Sequence, residues 1–217
     1  MALAIFDLDN TLINGDSDHA WGNFLIDENM VDAKEYEIAN HQFYLDYKNG
    51  VLDINEYLNF CLKPLAVYSN EVLEKLHNKF MQTVITPMML DKAKVLLKKH
   101  RDQGDYLLII TATNEFVTGP IAKELKVDDL IASQCEQVDG KYTGKPSGTP
   151  SFQEGKITRL NEWLKNNPMD LEGSYFYSDS HNDLPLLKMV THPIAVDADE
   201  TLTDYAKEHN WKIMSLR

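Results

Sequence analysis

Two periodicities divide the chain. From residue 16 to about residue 87, apolar side chains return every three or four positions. They run as Trp21, Phe24 and Leu25, then Ile38, Phe43 and Leu45, then Tyr57, Leu58, Cys61 and Leu62, then Val72, Leu73, Leu76 and Phe80. That spacing predicts about four helices with no strand between them. Breaks are expected near Asn29-Met30, at Asn49-Gly50, from Pro64 to Asn70 and at Pro87, with Asp53 and Ser69 as N-caps. Elsewhere short apolar runs alternate with helical stretches. Leu3-Ala4-Ile5, Tyr106 to Ile110, Leu130-Ile131-Ala132, Tyr175-Phe176-Tyr177, Ile194-Ala195-Val196 and Lys212-Ile213-Met214 read as strands. Helices are predicted over 89–103, 115–125, 154–165, 184–189 and 202–208. The stretch holding Gly140, Gly144, Pro146, Gly148 and Pro150 reads as a polar connection.

Strands alternating with helices predict an α/β fold, a Rossmann-like parallel sheet carrying a small all-helical cap as an insertion. Residues 1–15 and 88–217 form the expected core, and residues 16–87 the cap. An insert placed straight after the first strand can lie over the C-terminal edge of the sheet, where such folds bind ligands.

Polar clusters fall at or beside the ends of these strands: Asp7 with Asp9, Thr111, Lys156, and Asp179 with Asp183. Brought to one edge they supply several carboxylates, a hydroxyl and an ammonium. The carboxylates suit Mg²⁺, which takes oxygen ligands, and the Lys and hydroxyl suit phosphoryl oxygens. The set describes phosphoryl transfer to an aspartate.

These residues resemble the four motifs of the haloacid dehalogenase superfamily of phosphatases, in order and over the whole chain. Asp7-Leu8-Asp9-Asn10-Thr11 resembles the first motif, Thr111 the second, Lys156 the third, and Ser178-Asp179-Ser180-His181-Asn182-Asp183 the fourth. The helical insert is similar to that of the branch holding phosphoserine phosphatases and bacterial histidinol-phosphate phosphatases. The resemblance implies that Asp7 is the nucleophile and Asp9 the general acid and base. It implies that Asp7, Asp179 and the Asp9 carbonyl hold Mg²⁺, with Asp183 in support. It further implies that Thr111, Lys156, Asn182 and backbone amides near Leu8 and Ala112 hold the phosphate.

Charge narrows the substrate. The chain has 217 residues and a net charge of −13, which argues against nucleic acid or an anionic membrane as a partner. No apolar run approaches the length of a membrane span, so a cytoplasmic monomer or homodimer acting on a small phosphate ester is expected. Cys61 and Cys135 follow no metal-ligand spacing and are expected to be buried thiols. In the phosphoserine branch an acidic residue nine positions after the nucleophile meets the substrate amine, and an Arg in the cap meets its carboxylate. Asp16 stands at the first of these positions, but no Arg precedes Arg101. The insert carries five lysines against twelve acids.

Lys does not reproduce the two-pronged grip of Arg on a carboxylate. A substrate that is cationic away from its phosphate fits better, histidinol phosphate before phosphoserine. Asp16, Asp18 and one of the cap glutamates are the expected contacts for its cations, with Trp21 and Phe24 as imidazole-pocket candidates. His19, His41 and His181 are further candidates, His181 because it lies inside the fourth motif. Three rival readings stand beside the phosphatase. A silent binding module has no need of the full polar set. A response-regulator receiver is too short and has no cap. A phosphotransferase differs from a phosphatase only in water access.

Overall fold

The computed structural model describes residues 1–217. Seven strands form one sheet in the order β4-β3-β2-β1-β5-β6-β7: β1 (Leu3–Phe6), β2 (Tyr106–Asn114), β3 (Asp129–Val138), β4 (Lys141–Ser147), β5 (Tyr175–Ser178), β6 (His192–Val196) and β7 (Lys212–Met214). All neighbours are parallel except β3 and β4. The expected α/β sheet is therefore present, with one antiparallel edge.

β1 is buried along its whole length because both faces of the sheet are covered. Leu3 and Ile5 face one layer with Leu108, Ile110, Phe176 and Ala195, while Ala4 and Phe6 face the other with Ile109, Tyr177 and Val196. The period-two alternation of a strand produces that division.

The helices are α1 (Ser17–Asp27), α2 (Ala33–Lys48), α3 (Ile54–Cys61), α4 (Asn70–Phe80), α5 (Asp91–Asp102), α6 (Glu115–Leu125), α7 (Glu154–Asn166), α8 (Leu184–Leu187) and α9 (Glu200–Glu208). Asp53 caps α3 as expected, its carboxylate accepting from the N–H groups of Asn55 and Glu56. Ser69 occupies the N-cap position of α4 but makes no side-chain capping bond. The break expected near Pro87 falls just beyond it, at Met89 and Leu90, where the backbone is extended. The helical path continues from α4 through a wide π turn (Met81–Ile85) into a short turn (Thr86–Met88), where Pro sits in the first turn and needs no N–H partner.

Two more expectations change. The 133–150 segment is not a loose connection but a β3–β4 hairpin closed by Asp139 and Gly140, both at positive φ. Residues of the hairpin pack under the insert, Cys135 and Tyr142 against Leu58, Leu62, Leu65 and Leu73. Ile38 is exposed, so it takes no part in the core. Packing runs across residue 16. Trp21, Phe24, Leu25, Phe80 and Ile85 share one buried cluster with Phe6 and Ile109 of the sheet, so α1 and the end of α4 are part of the main core.

No helix is long and apolar enough to cross a membrane. Both cysteines are free and buried.

Candidate active site

The sheet order sets β1 between β2 and β5, so the residues leaving their C-terminal ends become neighbours. The Asp7 N–H donates to the Tyr177 carbonyl at 2.9 Å, tying the end of β1 to the strand that ends at Ser178 and leads into Asp179. Thr11, fully buried, donates its hydroxyl at 3.2 Å to Asp179 and approaches Asp7 at 3.5 Å.

Lys156 comes from the first turn of α7. Gly155 beside it allows the approach, because a Cβ there would lie 2.0 Å from the Pro150 carbonyl oxygen. The Lys156 ammonium is 2.8 Å from Asp7 Oδ1 and 2.7 Å from Asp183 Oδ1. Ser178 donates to Asp183 Oδ2 at 2.7 Å.

One ammonium thus pairs with Asp7 and Asp183, and Asp179 beside them has no cation. Burial pulls Lys156 toward neutrality, but Asp183 and Asp7 outweigh it and hold the ammonium charged. The carboxylates are left short of positive charge. Burial pushes Asp7 up to about 7 against the pull of Lys156, with Asp183 and Asp9 adding to the rise. Burial, Asp7 and Asp183 likewise hold Asp179 well above the usual carboxylate range. A surplus of buried carboxylates with hard oxygen donors fits a divalent cation. Asp183, paired with Lys156 and Ser178, fits a supporting place better than a direct one. No trio of acidic, His or Cys side chains converges on a common point in the present arrangement.

Asp9 is held from three sides. Its Oδ1 accepts from the Ser17 N–H at 2.6 Å, and its Oδ2 from the hydroxyls of Thr113 at 2.8 Å and Thr111 at 3.3 Å. Thr111 lies inside β2 rather than beyond its end, where the register with β3 shifts between Ile110 and Asn114. The N–H groups of Leu8 and Asp9 find no acceptor within the chain, which leaves them free for an anion. Ala112 borders the same space, its carbonyl engaged by Ser133.

Above this polar floor lies a cavity of about 40 Å³, lined by Asp7, Asp9, Asp16 and Asp18, by Thr111 to Thr113, and by residues of the insert. The insert contributes His19, Asn40, Phe43, Tyr44, Tyr47, Leu52, Ile54 and Tyr57. Neither Lys nor Arg lines it. Asp16 caps α1, accepting from the N–H groups of Asp18 and His19 at 3.0 and 2.8 Å. Burial and then Asp9 push its carboxyl up to about 7. Asp18 is 4 % exposed, and burial followed by Asp16 pushes it up to about 8.

Several expected site residues stand elsewhere. Trp21 does not line the cavity. It is 1 % exposed and packed among Phe24, His77, Phe80 and Phe116, because its large apolar surface is better buried between α1 and the sheet. Phe24 is core for the same reason. Asn182 is not directed to the phosphate floor, since its amide accepts from Gln153 and donates to the Tyr47 carbonyl at 3.2 Å, joining core to insert. None of the insert's glutamates lines the cavity, and His41 is exposed. His181 pairs with Asp199 at 2.8 Å and lies against Gly50, where a Cβ would sit 2.9 Å from its Nε2.

The sequence reading missed Thr113, Asn114 and the wall of Phe43, Tyr44, Tyr47 and Tyr57. Thr113 had a signal, since it is two residues from Thr111 and so shares its face of the strand. The aromatic wall had none, because helical spacing alone does not separate core positions from cavity positions.

A model of the haloacid dehalogenase-like hydrolase family matches residues 4–188. The chain is 48% identical over 219 residues to a histidinol-phosphatase of Neisseria meningitidis, covering 99% of each protein. It is 28% identical to the phosphoserine phosphatase SerB1 of Mycobacterium tuberculosis, covering all of this chain and 71% of that one. Among solved structures, a Bordetella pertussis protein of unknown function superposes with a TM-score of 0.94 at 41% identity, covering 100% and 99% of the two chains. A substrate-bound phosphoserine phosphatase superposes with a TM-score of 0.72 at 19% identity over 100% and 93%, a likeness of fold.

Proposed function

The chain belongs to the haloacid dehalogenase-like hydrolases and is a phosphatase of that family, and from this premise we propose that it hydrolyses histidinol phosphate through an aspartyl-phosphate on Asp7. The observation that carries the choice of substrate is the cavity wall, four aspartates and four aromatic side chains with no Lys or Arg among them. Such a wall suits an ammonium and an imidazolium. It offers the carboxylate of phosphoserine no Lys or Arg. The nearest insert cation is Lys48, which sits 4.8 Å over the Tyr44 ring and exerts a pull on Asp16. The histidinol-phosphatase name of the 48% identical relative supports the same substrate.

In this reading an Asp7 oxygen attacks phosphorus, and the bond from phosphorus to the substrate oxygen breaks. Asp9, steadied by Thr111 and Thr113, gives its proton to the leaving alcohol. It then takes a proton from the water that attacks the aspartyl-phosphate, releasing inorganic phosphate and restoring Asp7. Lys156 places positive charge beside the nucleophile, and the Leu8 and Asp9 N–H groups receive phosphoryl oxygens. Asp7, Asp179 and the Asp9 carbonyl would hold Mg²⁺, with Asp183 in support. When bound, the ion would supply further positive charge against the phosphoryl oxygens.

A cavity of about 40 Å³ holds only a few waters, so substrate entry requires the insert to move. Helices α2 and α3 lie outside the core cluster that takes in α1 and the end of α4. They stay closed through the Asn182–Tyr47 hydrogen bond and the seating of Gly50 on His181.

Phosphate release from histidinol phosphate, measured with Mg²⁺ and again after EDTA, tests the reading. Activity should vanish with chelation and return with Mg²⁺, and Asp7→Asn should lose at least about 10⁴-fold, the scale seen when a nucleophile is removed. Turnover that survives both changes would contradict it.

A further inference from the structure

Of the four aspartates on the cavity wall, Asp7 and Asp9 have both oxygens engaged, while Asp16 has one, its Oδ1, on a side chain that is only half-buried. Asp7 is paired with Lys156, both oxygens of Asp9 accept hydrogen bonds, and Asp16 caps α1. Asp18 differs. Its Oδ1 accepts from the Asn114 amide at 3.1 Å, and its Oδ2 makes no hydrogen bond although the side chain is almost wholly buried, with the Tyr57 hydroxyl near enough to favour the ionised form. An unpaired buried carboxylate oxygen is costly, and such a group is retained where a ligand supplies the missing donor. Tyr57, Phe43 and Tyr44 line the same cavity with aromatic surface suited to a cation.

Asn114 is placed to hold that oxygen free. It is the last residue of β2 and the N-cap of α6, is 1 % exposed, and uses both ends of its amide. Its Oδ1 accepts from the Val117 N–H at 3.1 Å while its Nδ2 donates to Asp18. The same strand carries Thr111 and Thr113, which hold Asp9. One rigid element therefore sets both the proton-transfer carboxylate and Asp18.

We propose that Asp18 is the specificity-determining carboxylate, its free Oδ2 taking an N–H of the substrate's cationic group. In the same device Asn114 is a positioning residue that acts through Asp18. The inference rests on the reading above that the substrate is cationic away from its phosphate, and it adds which carboxylate reads the charge and what holds it.

The test compares Asp18→Asn and Asn114→Ser with wild type on histidinol phosphate, phosphoethanolamine, ethyl phosphate and p-nitrophenyl phosphate, with Mg²⁺. Asn at 18 keeps the shape and the Asn114 bond but cannot take on the negative charge that a bound cation would induce. Ser at 114 keeps a capping oxygen for α6 but is too short to span to Asp18. In Asp18→Asn the KM for both cationic esters should rise at least about 30-fold more than the KM for the neutral esters, with kcat changing little between the two classes. Asn114→Ser should show the same pattern at about tenfold. These are the scales of a lost charged hydrogen bond and of a displaced one.

Equal losses on cationic and neutral esters would make the pair merely structural and overturn the proposal. So would unchanged discrimination, or a wild type that treats phosphoethanolamine and ethyl phosphate alike. If wild type disfavours histidinol phosphate yet Asp18→Asn still loses selectively on phosphoethanolamine, this inference stands and the choice of histidinol phosphate falls.

Discussion

Replacing Asp18 by Asn should stabilise the protein, and increasingly so as pH rises. In the fold the Asp18 carboxyl ionises near 8 rather than at its ordinary 3.8, because burial and Asp16 disfavour its charge. Below about pH 4 the carboxyl is protonated folded or unfolded, and its contribution is fully retained. Between about 4 and 8 only the unfolded chain ionises, so that contribution falls by about 1.4 kcal/mol per pH unit. Above 8 the loss is complete. Taken at face value the window is worth roughly 5 kcal/mol, and local relaxation or entering water reduces it to about 2–3 kcal/mol. Asn carries no titrating proton and keeps the bond to Asn114. The assay is urea unfolding of both proteins from pH 4.5 to 8.5. The gap should open in favour of Asp18→Asn by about 2–3 kcal/mol across that range. Parallel stability curves would refute the claim that this carboxyl is held in the core without a cationic partner.

Lys156→Met leaves Asp7 and Asp183 buried without their cation. It should cost about 3–5 kcal/mol in urea unfolding at pH 7, and a cost under about 1 kcal/mol would mean the pair is not buried as described. The same variant should lose at least about 10²-fold in phosphate release, since the charge beside the nucleophile is gone. Trp21→Ala should cost about 3–5 kcal/mol as a core truncation while leaving the preference for histidinol phosphate over p-nitrophenyl phosphate within about threefold. A collapse of that preference would return Trp21 to the cavity wall.

Most of the polar floor was legible in the sequence because Asp7, Asp9, Lys156 and Asp179 sit at junctions that periodicity locates, and the resemblance of the four motifs supplied their roles. Asp7 and Asp9 follow an apolar run that only a buried strand explains, and Asp179 follows another. Lys156 opens a helix, which carries its long side chain back toward the strand ends. The antiparallel edge was also within reach. Val138-Asp139-Gly140-Lys141 holds the Asp-Gly pair of a two-residue hairpin, but the prolines and glycines that follow obscured the alternation of β4. Trp21 and Asn182 show the opposite limit. An aromatic near a site is core or cavity depending on which neighbour covers it, and Asn182 turns to Gln153 and Tyr47 because those partners come from distant parts of the chain. The Asn114–Asp18 pair spans 96 residues and joins a strand end to an inserted helix. No local pattern announces such a contact.

Phosphate release from histidinol phosphate and phosphoserine, side by side with Mg²⁺ at equal concentration, tests the central claim most directly. A cavity of four aspartates and aromatic rings with no cation on its wall should favour histidinol phosphate by about a hundredfold in kcat/KM, about 2.7 kcal/mol of transition-state discrimination. A preference for phosphoserine would contradict the account, because its carboxylate would then be bound by a wall that offers it no positive charge.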